Sequence, residues 1–353
     1  MTKLHIGIAG AGLAGRTLAW RLLRAGCRVS LFDARRRDDL ATASMTAAAM
    51  LSPLAELAVS DEAVFALGQR SMQLWPKWIA ELAESGSEPV YFKNEGTLVI
   101  AHAQDQASLE HFTRLLHHKL PVACRVQVHT LNARELAGKE PLLTGRFSGG
   151  GLYLEGEGQL ANDQLMAALA LEIDRLGGIW HEEKTVLQLE KNQVTCADSS
   201  YRIDAAVDAR GVGSKALMPK LRGVRGEVLR VECPGVTLQR PVRLMHPRYQ
   251  LYVAPRPNHE FVVGATELES EDSGPVTVRS VLELASALHS LHPAFGEARV
   301  LRMSAALRPA LDDHRPVVVE REGVWHINGL YRHGYLCAPA LVDDLAHQLL
   351  GTQ

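Results

Sequence analysis

A discontinuous α/β fold is predicted, with a Rossmann-like dinucleotide-binding domain and an inserted antiparallel-sheet substrate domain. Three observations predict it. Residues 4–33 read as one βαβ unit with a glycine turn. The stretch Ala205-Ala206-Val207-Asp208-Ala209-Arg210-Gly211 reads as a buried strand ending in glycine, as expected where a parallel strand stops beside a nucleotide. Between that strand and an α/β segment closing the chain, short strands follow one another with few helices.

In the first unit, the apolar run Leu4 to Ala9 leads into Gly10-Ala11-Gly12-Leu13-Ala14-Gly15. A helix with Leu18, Leu22 and Leu23 on one face follows and ends at Gly26, and a second strand from Cys27 to Phe32 delivers Asp33. Gly10 permits the tight turn, Gly12 admits a pyrophosphate, and Gly15 lets helix and strand pack closely. The helix N-terminus offers unpaired N–H groups to phosphate, and Asp33 is spaced to accept hydrogen bonds from a ribose. Arg35, Arg36 and Arg37 read as a solvated loop rather than a clamp for a 2′-phosphate. The small-residue run from Ala41 to Met50 admits two readings: a close approach to something flat, or a small helix packed in the core.

Further along, a helix over 62–84 is expected to break near Pro76. Strands follow near Tyr91 and at 97–101, then helices at 105–118 and 161–176 and strands at 184–197 and 201–203. Strands at 223–232, 249–254 and 260–266 read as antiparallel, with the last two joined by a Pro-Asn turn at 257–258 and a helix at 277–291. Strands at 316–320 and 324–328, the turn Gly329 to Gly334 and a helix from Tyr335 to Leu350 complete the plan.

Composition excludes several classes. The chain has 353 residues, 46% hydrophobic and 22% charged, with a formal net charge of −2. That balance gives no case for a nucleic-acid partner or an anionic membrane. No apolar run is long enough for an integral membrane segment. Five scattered cysteines without a CxxC pair predict reduced thiols and a cytoplasmic setting, and no metal site is expected. GxSxG and Walker A sequences are absent, which removes support for nucleophilic hydrolysis and phosphoryl transfer.

Four places carry candidate chemistry. Arg308, alone in an apolar setting, is either a carboxylate ligand or half of an ion pair with Asp312 or Asp313. Tyr252 on its strand is a hydroxyl donor to the same ligand or packing. The glycine-flanked turn that holds Arg332 either offers N–H donors at a helix start to an electron-rich ring oxygen or is an ordinary turn with a solvent-facing arginine. Arg222-Gly223-Val224-Arg225-Gly226-Glu227 reads structurally at least as well as functionally.

Taken together these segments resemble the D-amino-acid-oxidase-like flavoproteins, and among them the glycine oxidases of thiamine biosynthesis. The resemblance runs through Ala47 to Glu56, Glu155 to Gln159, Val224 to Glu227, Tyr252 to Arg256, Val263 to Thr266, Leu307-Arg308-Pro309 and Gly329 to Gly334, and so covers nearly the whole chain. It implies FAD as cofactor, with Asp33 on the adenosine ribose. Cofactor contacts then fall to Gly10, Gly12, Leu13, Ala14 and Gly15, to Ser44, Ala48, Ala49 and Met50, and to Val186 and Gly211. Arg332, His333, Gly334, Tyr335 and Leu336 join them from the last turn and helix. Arg308, Tyr252 and Arg332 match the family's active-site residues.

Residues 1–85, 140–220 and 305–353 would then form the FAD-binding domain, and 86–139 with 221–304 the substrate-binding domain. The implied activity is oxidation of glycine, sarcosine or a small D-amino acid by O₂. Hydride would pass from Cα to flavin N5, giving an α-keto acid, ammonia and H₂O₂. The chain departs from the bacillus-type pattern at Gln250, at Glu267 and at Ala49. Alternatives are a D-amino acid dehydrogenase that reduces a quinone, a flavin monooxygenase, or a non-catalytic FAD-binding redox module. Homo-oligomerisation is left open.

Overall fold

The computed structural model describes residues 3–84, 86, 88–246 and 250–351, apart from the Gln250 side chain. The dinucleotide unit forms as expected: strand His5–Ala9, helix Leu13–Arg24 and strand Arg28–Phe32. Its strands lie at the centre of a six-stranded sheet ordered Val317–Arg321, Val324–Asn328, Ala205–Asp208, His5–Ala9, Arg28–Phe32, Ile179–His181. Every neighbouring pair is parallel except the outermost, where Val317–Arg321 runs antiparallel. Leu18, Trp20 and Leu22 of the first helix are wholly buried, packed with the terminal helix Gly334–Leu350 and the helix Glu62–Glu84.

That long helix corrects an expectation, because it continues through Pro76. Pro76 is exposed, so water can satisfy the carbonyl its missing N–H leaves free, while buried Trp75 and Trp78 hold both sides of the site to the core.

The second sheet has eight strands, ordered Arg299–Ala310, Arg222–Glu232, Glu260–Gly264, Gln250–Pro255, Val242–Met245, Thr97–Ala101, Gly151–Leu154, Val128–Leu131. The antiparallel expectation holds for six of its pairs, but Val242–Met245 and Thr97–Ala101 pair in parallel, so the sheet is mixed. Thr97–Ala101 is buried at every position, which removes the alternation that marks a one-faced strand. Two segments expected with the nucleotide domain pair here instead: Gly151–Leu154, and residues 305–310 at the end of Arg299–Ala310. The small-residue run splits both of its readings. Ala43–Thr46 is a short helix, and residues 47–49 leave it without regular structure to enter the strand Met50–Leu51.

Candidate active site

One cavity of about 1440 Å³ runs from the carboxyl ends of the parallel strands to the face of the mixed sheet. This exceeds the several hundred Å³ of a small-molecule pocket and suits a dinucleotide with a substrate beside it. Every residue that the family resemblance implies for the cofactor or the active site lines it except Gly15.

At the nucleotide end the turn is built around missing side chains. Gly10 has φ +99°, and a Cβ there would sit 2.5 Å from the Ala209 carbonyl oxygen. A Cβ on Gly15 would collide with the Gly10 carbonyl oxygen, so Gly15 serves the turn from behind the cavity wall. Gly12 has only Ser44 Oγ nearby, at 3.2 Å, and leaves the helix start open to the cavity. Ser44 Oγ accepts the Leu13 N–H at 2.9 Å, tying the small-residue run to that helix start. Asp33 accepts the N–H groups of Ala11 at 2.6 Å and Arg35 at 2.9 Å, which places its carboxylate at the cavity wall. Arg35, Arg36 and Arg37 each have acidic partners, Asp39, Asp38, and Asp174 with Glu182. These features fit FAD: an N–H-rich cradle that a Cβ would fill, an acid at the ribose position, and a flat small-residue wall.

That wall is held from behind. The buried Arg256 donates to the Ala48 carbonyl and, at 2.7 Å, to Gln159 Oε1. Burial, with Arg230 near, lowers the Arg256 pKa to about 10, which leaves it charged at neutral pH. Ala49 adopts φ +47°, a conformation that costs an alanine about 1 kcal/mol and explains why glycine suits this position.

The substrate end is organised by strand register. Strand Arg299–Ala310 pairs with Arg222–Glu232, which pairs with Glu260–Gly264, which pairs with Gln250–Pro255. From the outer strands, Arg308 and Tyr252 lean inward. The Arg308 guanidinium lies over Gly226, where a Cβ would occupy the same space, and Tyr252 Oη lies 2.7 Å from where a Cβ on Gly264 would be. Arg308 Nη1 donates to the Thr266 carbonyl at 3.0 Å and to the Arg225 carbonyl at 3.4 Å. Among the described residues Arg308 has no carboxylate partner, so neither Asp312 nor Asp313 pairs with it. Nor has the Tyr252 hydroxyl a hydrogen-bond partner among them. Burial, only partly offset by Arg308, raises the Tyr252 pKa and keeps that hydroxyl a donor.

Alternation settles the Arg222–Glu227 segment: Gly226 faces the cavity and its neighbours face away. Arg225 and Glu227 form a buried ion pair at 2.6 Å, and Arg225 also donates to the carbonyls of Asp272, Gly274 and Pro275.

Sequence reasoning missed Glu56. Its carboxylate lies 3.2 Å from Arg243, 3.0 Å from Arg332 and 3.2 Å from His333 Nδ1. Burial works against this charge, but Arg332, His333 and Arg243 hold the carboxyl well below its ordinary range. Arg332 also pairs with Glu267 at 3.1 Å, so its guanidinium spans two acids. Burial disfavours charge on Glu267 too, while Tyr331, Arg332 and Arg308 favour it, leaving its pKa below normal. Gln250 lies in the strand beside Tyr252, with its side chain outside the described residues. Among the described residues no three His, Cys, Asp or Glu side chains are grouped to hold a metal ion, and no helix is long and apolar enough to cross a membrane.

Comparisons with known proteins agree with this layout. The family model described as DAO, FAD dependent oxidoreductase, matches residues 5–348. A Rhizobium etli protein, named provisionally as the thiamine biosynthesis oxidoreductase ThiO, is 39% identical over 99% of this chain and 98% of its own. Glycine oxidase of Geobacillus kaustophilus is 25% identical over 98% of this chain and 93% of its own. The crystal structure of glycine oxidase from Bacillus cereus superposes with a TM-score of 0.86 at 23% identity, covering 99% and 96% of the two chains. The chain therefore belongs to the DAO family of FAD-dependent oxidoreductases.

Proposed function

We propose that this enzyme oxidatively deaminates glycine or a comparably small amino acid, with O₂ as the final electron acceptor. For glycine the balance is glycine, O₂ and water giving glyoxylate, ammonia and hydrogen peroxide. One observation carries the reading: Arg308, a cavity arginine without a carboxylate partner among the described residues, beside a Tyr252 hydroxyl that is equally unengaged. A partly buried guanidinium with free donors recruits an anion, and its planar fork matches a carboxylate. The name of the Geobacillus relative, glycine oxidase, supports the same substrate class.

Bound FAD supplies a two-electron acceptor that O₂ reoxidises. Gly10, Gly12 and Leu13 would hold its pyrophosphate, Asp33 its ribose, and residues 47–50 its ring side. The chain's own contribution at the other end is orientation. Arg308 binds the carboxylate and Tyr252 donates to it, which fixes the amino acid's Cα against the small-residue wall. Loss of hydride from Cα needs the lone pair of a neutral amine, so the substrate's nitrogen sheds its proton to water before reaction.

The test is anaerobic addition of glycine, sarcosine and D-alanine to the flavin-loaded protein, followed by admission of air. Bleaching of the visible flavin bands, then recovery with peroxide release, is expected. A flavin that none of these bleaches refutes the proposal. Arg308→Ala should raise KM at least about a hundredfold while FAD stays bound, since a charge-assisted bidentate contact contributes roughly 3 kcal/mol or more.

A further inference from the structure

Three arginines and two carboxylates form one group at the substrate end. Glu56 lies between Arg243 and Arg332, Glu267 takes the other end of Arg332, and Arg308 adds a third cation. Among these arginines and glutamates, two carboxylates cancel two guanidinium charges and one positive charge is left over. A single substrate carboxylate neutralises it. The two acids are not equivalent. Both line the cavity with Arg308, but the Glu56 side chain is only 11% exposed, whereas the Glu267 side chain is 51% exposed. Glu267 is thus the acid that an incoming ligand meets.

We propose that Glu267 is a built-in counter-ion that confines the site to ligands with one carboxylate. It occupies the Arg332 guanidinium that a second carboxylate would need, and its charge repels that carboxylate. Removing the Glu267 charge raises the excess of the group to two positive charges and frees the end of Arg332 that faces Arg308 in the cavity, a pair that fits a dicarboxylate. The proposal rests on the functional reading above in taking a carboxylate as the ligand of Arg308.

The test uses the FAD-loaded wild-type protein, Glu267→Gln and Glu267→Asp at mildly alkaline pH. Acetate and malonate are titrated against the flavin spectrum, and flavin bleaching is compared for D-alanine and D-aspartate. In Glu267→Gln the affinity for malonate relative to acetate should rise about tenfold, the effect of one unit charge across a partly hydrated cavity. The preference for D-aspartate over D-alanine should move the same way. Glu267→Asp, which keeps the charge, should stay near wild type. A malonate-to-acetate ratio unchanged in Glu267→Gln, or raised equally in Glu267→Asp, overturns the proposal. If no amine bleaches the wild type, the oxidase reading fails separately, and the acetate and malonate titration still decides the role of Glu267.

Discussion

Replacing Gly226 with alanine tests whether the Arg308 guanidinium holds the substrate carboxylate where the structure places it. A Cβ at Gly226 would occupy the space of Arg308 Cζ, Nη1 and Nη2. These atoms are the far end of a flexible side chain, so the fold can survive while the guanidinium is pushed aside by an ångström or more. A carboxylate bound by the fork would then lose one of its two contacts. A charge-assisted hydrogen bond is worth about 2 kcal/mol, so KM for glycine and Kd for acetate should both rise about thirtyfold. Gly226 is remote from the pyrophosphate turn, so flavin content should be unchanged. The assay is steady-state peroxide production together with acetate titration of the flavin spectrum, with a thermal melt to confirm folding. A folded Gly226→Ala protein with wild-type KM and acetate affinity would show that Arg308 is not the carboxylate anchor.

Three further outcomes follow from the same geometry. Gly15→Ala should yield protein without flavin, because the new Cβ would meet the Gly10 carbonyl; absorbance at the flavin bands after purification decides it. Glu56→Gln leaves Arg243 and Arg332 without their shared anion and should cost about 3 kcal/mol in denaturant unfolding. Because the folded Glu56 carboxyl is depressed, its contribution is complete above the ordinary carboxyl range and is lost as pH falls through the depressed value, so variant and wild type converge in acid. Glu157 behaves with the opposite sign. Burial raises it to about 7, with Arg243 and the Ala55 N–H only partly offsetting. The folded state therefore holds a proton that the unfolded chain releases, and stability falls as pH rises from about 4.5 to about 7, by on the order of 3 kcal/mol. Glu157→Gln should flatten that slope and be the more stable protein at about pH 8; a slope identical to wild type refutes the assignment.

Local geometry made one end of the site legible in the sequence and hid the other. The nucleotide turn is contained in residues 4–33, where glycine spacing, helix start and terminal acid are all near neighbours, so short-range rules suffice. Arg308 and Tyr252 stood out as candidates because an arginine or a strand tyrosine in apolar surroundings invites a partner. Their partners did not stand out. Glu56 stands in the sequence only as the end of the segment Ala47 to Glu56, and the structure places it in the first turn of the short helix Pro53–Leu57. Its role comes from Arg243 and Arg332, brought to it from positions 187 and 276 residues away by the pairing of distant strands and the return of the chain. Pro76 misled for a related reason: the consequence of a helical proline depends on which face it occupies, and that is a tertiary fact.

The glycines at 226 and 264 show why the clamp belongs to the sheet rather than to either residue that forms it. Arg308 is opposite Val224, and Tyr252 opposite Gly264, in registers set by long hydrogen-bonded ladders. The two inner strands also pair, placing Val228 opposite Gly264. Arg308 and Tyr252 therefore converge from the outer strands onto two inner strands, above positions where no side chain competes. A one-residue slip in any ladder would turn these positions to the opposite face. The neighbouring Arg225–Glu227 pair, fastened to residues 272–275 on that opposite face, resists such a slip. The positions of Arg308 and Tyr252, and with them the proposed carboxylate site, are thus enforced by buried structure on the side of the sheet away from the cavity.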